Sequence, residues 1–169
     1  MTARHHLLTL LMLLIALAVA APVSALQAPV GKVILSVTGK IAVSNAGDRA
    51  DFDLAMIQAL PQHRIETSTP WYHGVTRFTG PLIADLLAAV GARGTVLATV
   101  ALNDYKVDIP VADLVTHGAI LAWAHDDQPM PVRDKGPLFI VFPYDASPVL
   151  QSERFFNRSP WQLRLIEVR

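Results

Sequence analysis

The residues of this chain best equipped for chemistry fall in four places. Thr69, Trp71 and His73 stand close together; Asn103, Asp104 and Tyr105 are consecutive; Arg133 and Lys135 flank Asp134; and Tyr144 opens a later polar segment. Aromatic rings offer faces for stacking, amides and carboxylates offer paired hydrogen-bonding groups, and cations hold carbonyl or anionic oxygens. The tools of other chemistries are missing from the sequence. It contains no cysteine, so thiolate ligation, thiol catalysis and disulfides are closed to it. His63, His73, His117 and His125 are scattered without helical or strand spacing, which argues against a structural zinc site. There is no glycine-flanked nucleophilic serine and no glycine-rich phosphate loop.

The elements that must position these residues can be read from period and punctuation. Val33 to Val37 alternates and is β-branched, predicting a strand that ends near Gly39, with a second short strand through Ile41 and Val43. Asn45, Gly47 and Asp48 form a turn. Asp53 is placed to cap a short helix whose Leu54, Ile57 and Leu60 share a face, with Phe52 packing on Ile57 as a staple and Pro61 ending it. Arg64 to Phe78 shows no clear period and is dense in polar and aromatic residues, so it reads as a binding loop. Pro81 to Val90 is a helix with an apolar stripe, begun by proline and closed by Gly91.

Thr95 to Leu102 and Tyr105 to Ile109 read as a hairpin turned by Asn103 and Asp104. A helical turn over Pro110 to Val115, released by Gly118, leads into a strand from Ala119 to Ala124, and Asp126 with Asp127 forms the next turn. Leu138 to Phe142, continuously apolar, reads as a strand at the centre of a sheet. Tyr144 to Pro160 reads as a long irregular segment and Trp161 to Val168 as a closing strand. Strands and short helices out of strict alternation predict an α+β domain.

At the start, Arg4, His5 and His6 precede an apolar run from Leu7 to Ala21, followed by Val23, Ser24 and Ala25 at signal-peptidase spacing. The run of about 15 residues falls short of the roughly 20 that cross a bilayer. Residues 1–25 are therefore expected to be an export signal, leaving 26–169 as a single domain in the periplasm with no stable membrane insertion after cleavage. The formal net charge is +0, so no field draws nucleic acid or anionic lipid.

Taken in order, Trp71, the helix Pro81 to Val90, Asn103-Asp104-Tyr105 with Ile109-Pro110, Asp134-Lys135-Gly136-Pro137-Leu138 and a last strand at Trp161 resemble the molybdopterin-binding domain of the sulfite oxidase family. The resemblance runs from Val33 through Val168 and implies a sulfite-oxidase-like fold of mixed sheets with a few short helices. It departs from the enzymes in three places. Their metal-binding thiolate is expected just before Trp71, where Glu66, Thr67, Ser68, Thr69 and Pro70 offer hydroxyls and one carboxylate. An arginine frequent after Gly-Pro-Leu is replaced by Phe139, and a lysine before the last tryptophan by Ser159 and Pro160.

The chain is thus similar to the small cysteine-less periplasmic proteins that bind pterin and report it to a membrane enzyme of cyclic-di-GMP metabolism. For a pterin or molybdopterin-like ligand without a metal, the resemblance implies that Asp104 accepts from the ring edge and Asn103 donates and accepts. Trp71 or Tyr105 then supplies a face, and Arg133 and Lys135 hold a carbonyl or side chain. Thr69, His73 and Tyr144 complete the expected set. Each has a plainer role available: Asn103 and Asp104 as turn residues, Trp71 and Trp161 as core, Arg133 to Lys135 as a solvated loop. Two other functions stay open, a molybdopterin-dependent oxidoreductase and an interaction module without ligand.

Overall fold

A single carboxylate organises the beginning of the fold. Asp53 caps the helix α1 (Leu54–Ala59) by accepting from the Met56 N–H at 2.9 Å, and it also accepts from the Val30 and Gly31 N–H groups at 2.9 and 2.7 Å. One side chain therefore starts a helix and pins the incoming chain. Phe52 and Ile57, the expected staple, are both buried in the same core. The computed structural model describes residues 26–169, so the export signal expected over residues 1–25 lies outside the described residues. No helix among the described residues is long and apolar enough to cross a membrane.

The strand β1 (Leu35–Gly39) buries Leu35 and Val37 on one face and pairs antiparallel with β2 (Ala50–Phe52). On its other side it runs parallel to β11 (Leu163–Val168), the last strand of the chain. β5 (Val96–Ala101) and β6 (Lys106–Pro110) continue this sheet in the order β2-β1-β11-β5-β6. The predicted hairpin is present, with Asp104 at φ 63° in its turn. The expected strand through Ile41 and Val43 is not. There the Ala42 and Val43 N–H groups both bond to the Val90 carbonyl, tying the segment to the end of a helix instead of to a ladder.

The segment Arg64 to Phe78, expected as a loop, is most of a long hairpin, β3 (Gln62–Thr69) with β4 (Tyr72–Pro81). Its inward positions include Thr67, Thr76, Phe78 and Gly80, so threonine and glycine occupy places where aliphatic residues would have revealed the period. Thr67 lies opposite Thr76, and Glu66 opposite Arg77 with an ion pair at 2.9 Å. Gly80 permits a close approach that no side chain allows, since a Cβ there would stand 2.0 Å from the Leu121 carbonyl oxygen. Pro81 ends β4, and the helix α2 (Ile83–Ala89) begins two residues later than its proline suggested. Gly91 follows it at φ 58°.

The helix α3 (Val111–Thr116) leads from β6 to β7 (Ile120–Ala122), which pairs antiparallel with β10 (Phe139–Val141). The apolar run Leu138 to Phe142 is thus not the centre of a wide sheet. It forms a two-stranded pair, and every residue of both strands is buried. β8 (Ala124–His125) and β9 (Gln128–Pro129) join the long hairpin in the order β3-β4-β8-β9, through the expected Asp126-Asp127 turn with both residues at positive φ. Tyr144 to Pro160 is less irregular than expected, since it holds a 3-10 turn at Tyr144–Ala146 and the helix α4 (Glu153–Asn157), which buries Phe155.

Candidate functional site

Three chain reversals meet at one end of the molecule. The tip of the β3–β4 hairpin is set by Thr69, whose hydroxyl accepts from the N–H groups of Trp71 and Tyr72 at 3.3 and 3.1 Å. This presents Trp71, which packs edge-on against Phe139, Tyr144 and Phe156 with centroids 5.2, 6.2 and 5.9 Å away. The β5–β6 turn brings Asn103, whose Oδ1 accepts from the Tyr105 N–H at 3.1 Å, and Tyr105 itself. The end of α4 and the residues after it supply Phe156, Asn157, Ser159, Pro160 and Trp161. Together these enclose a cleft of about 200 Å³.

Three hydrogen bonds hold this cleft in shape. The Tyr105 hydroxyl donates to the Asn157 carbonyl at 2.8 Å, linking the hairpin turn to the end of α4. Behind the wall, Ser159 donates to the Phe155 carbonyl at 2.8 Å, so the buried Tyr144 hydroxyl 2.6 Å away is the donor to the Ser159 oxygen. Burial pushes the Tyr144 phenol well above its ordinary pKa, which keeps it a donor.

The expected site residues divide accordingly. Trp71, Asn103 and Tyr105 line the cleft. Thr69 and Tyr144 support it from outside, one through the turn and the other through Ser159. Asp104 is turned away, its side chain 79 % exposed and paired with Arg164 at 3.2 Å, because its left-handed backbone aims it off the turn. His73 is exposed at the irregular pairing beside Gly74. Arg133 is exposed, and Lys135 is committed elsewhere: its Nζ lies 4.3 Å from the Tyr72 ring centre and 3.3 Å from Asp134. That cluster continues with the Tyr72 hydroxyl bonded to Asp134 and the His125 ring 4.9 Å from Tyr72. Burial opposes ionisation of Asp134, yet Lys135, Tyr72 and His125 together hold its carboxyl below the ordinary range.

Phe156, Asn157, Ser159 and Pro160, with Trp161, are the lining residues that sequence reasoning did not select for the site. The only signal for the first four was their place in the long segment before Trp161, a residue otherwise read as core. Trp71 and Trp161 present aromatic surface, and Asn103 and Asn157 present amides able both to donate and to accept. Among the lining side chains there is no carboxylate, histidine, lysine or arginine. The residues fit a flat heterocycle. They do not fit a thiolate-held metal, since the chain has no cysteine, nor a phosphate tail, since the lining carries no cation. The nearby basic groups are paired, Arg154 and Arg158 with Asp113 and Arg164 with Asp104.

No curated protein matches this chain. A family model described as the oxidoreductase molybdopterin binding domain matches residues 36–146, a shorter span than the resemblance over Val33 to Val168, and it ends before α4. The mixed sheets and short helices agree with that fold. With more than half of its length matched in this way, the chain belongs to the oxidoreductase molybdopterin-binding domain family.

Proposed function

We propose that the chain is an exported, non-catalytic member of this family that binds a pterin in the cleft between Trp71, Asn103, Tyr105 and Trp161. The observation that carries the reading is the pairing of a heterocycle-sized cleft, walled by aromatics and amides, with a sequence that has no cysteine to hold a metal. At about 200 Å³ the cleft is smaller than the roughly 300 Å³ at which ligand pockets usually begin, so it suits the ring system alone, with any side chain left in solvent. Its report to a membrane enzyme of cyclic-di-GMP metabolism is part of the same proposal. A bound ring would touch Tyr105 and Asn157 together and so favour one arrangement of α4 against the β5–β6 turn.

Titration with oxidised and reduced pterins, read by tryptophan fluorescence, tests the binding. Saturable quenching through Trp71 and Trp161 is expected, and no change with any pterin would favour an interaction module without ligand. Metal analysis of protein matured in its native host tests the non-catalytic half. Stoichiometric molybdenum with electron-transfer activity would make the chain an oxidoreductase. Ligand-dependent capture of the membrane enzyme's periplasmic domain tests the reporting role.

A further inference from the structure

A second concavity lies on the other side of the β5–β6 turn from the pterin cleft, where the chain entering β1 diverges from β11. It has a volume of about 320 Å³, within the range of small-molecule pockets. Its walls include Val33, Leu102, Val132 and Pro137. Three of these are unusually open for aliphatic side chains, Val33 at 41 %, Leu102 at 45 % and Val132 at 51 % exposure. Scattered single exposed aliphatics need no explanation, but convergence on one groove marks a binding surface.

The ionic side chains that line it, Lys32 and Arg164, are of one sign, while the Asp104 carboxylate that pairs with Arg164 stands outside the lining. Arg164 is anchored from behind, by Asp104 at 3.2 Å and by donation from its Nε to the Ala101 carbonyl at 3.1 Å, so its position is fixed. Lys32 makes no ion pair among the described residues. The backbone around the groove is also fixed: Gln162, at φ 54°, donates from Nε2 to the Val132 carbonyl at 2.6 Å and accepts from the Leu102 N–H at 2.8 Å. A rigid aliphatic trough with cations at its margin matches a molecule with an aliphatic body and an anionic head.

We propose that this groove binds an aliphatic carboxylate of fatty-acid type, its chain along Val33, Leu102 and Val132 and its head beside Lys32 and Arg164. The site is separate from the pterin cleft, and the proposal does not rest on the pterin reading.

Calorimetric titration of the mature protein with sodium decanoate below its micelle concentration tests this, with decanol and decylammonium as controls. Saturable one-to-one binding of decanoate is expected, with decanol weaker by roughly tenfold and decylammonium weaker still. Lys32→Glu is expected to weaken decanoate by roughly tenfold, and Leu102→Glu to remove measurable binding by placing a charge against the chain. Both positions are exposed, and unchanged circular dichroism and melting would confirm that the variants fold. Absence of saturable decanoate binding, equal binding of decanol, or a Lys32→Glu variant that binds like the wild type would each overturn the proposal.

Discussion

Tyr105 joins two parts of the cleft through one side chain, lining it with the ring and fastening α4 with the hydroxyl at 2.8 Å from the Asn157 carbonyl. Tyr105→Phe keeps the ring and removes the fastening, so denaturant unfolding is expected to show a loss of about 1 kcal/mol or less, typical for one hydrogen bond near solvent. Pterin affinity should fall as well, because the α4 wall is no longer held against the turn. The neighbouring residues separate a binding role from a turn role. Asn103 lines the cleft whereas Asp104 faces Arg164, so Asn103→Ala is expected to weaken pterin by about 1 kcal/mol and Asp104→Ala to leave affinity unchanged. Reversal of that order in the fluorescence titration would mean that the β5–β6 turn rearranges on binding. The adjacency Asn103-Asp104 was legible in the sequence, but which of the two faces the cleft was not. It depends on the positive φ at Asp104 and on an arginine sixty positions away.

Among the elements, the long β3–β4 hairpin departs most from its sequence signal. Its inward face carries Thr67, Thr76 and Gly80, side chains that a hydropathy pattern reads as loop, and cross-strand pairing gives them a place. Gly80 is the tightest point in that arrangement. Gly80→Ala would push a methyl into the Leu121 carbonyl and is expected to destabilise by about 1–3 kcal/mol, measured as a lower denaturation midpoint. α4 differs in being short, with one fully buried anchor, Phe155. Phe155→Ala is expected to cost about 3–5 kcal/mol, and the half-buried Phe156, which lines the cleft, distinctly less in stability while affecting pterin binding more. The capped helix α1 and the helix before Gly91 were readable in advance because their signals are local: a carboxylate three residues from the N–H it accepts, and a glycine at positive φ.

For the molecule as a whole, two aspartates tie distant segments together and make stability depend on acid. Asp53 is held below the ordinary carboxylate pKa chiefly by the Gly31 N–H, then by Met56 and Val30, and Asp145 chiefly by the Ser68 hydroxyl and N–H. A folded-state pKa below the unfolded one means the folded chain prefers the ionised form. The stabilisation is therefore complete above the unfolded value near 3.8 and is lost as the pH falls through the lower folded values. Thermal melts between neutral and strongly acidic pH are expected to show this loss, and the Asp53→Asn, Asp145→Asn double variant to show a lower melting temperature at neutrality with a shallower acid slope. An unchanged slope would mean that other carboxylates, such as Glu167 beside Arg169, set the acid response.

By itself the sequence determined the class of fold, most of its strands, the caps and turns, and the lack of a thiolate, because each is written in neighbouring residues or in composition. Only the tertiary structure decided that Trp71, Asn103 and Asn157 share a cleft, that Arg133 and Lys135 stand apart from it, and that Tyr144 supports it from within the core. Those relations join side chains tens of positions apart through three independent reversals of the chain. Their directions are set by packing and backbone handedness, which no local spacing encodes.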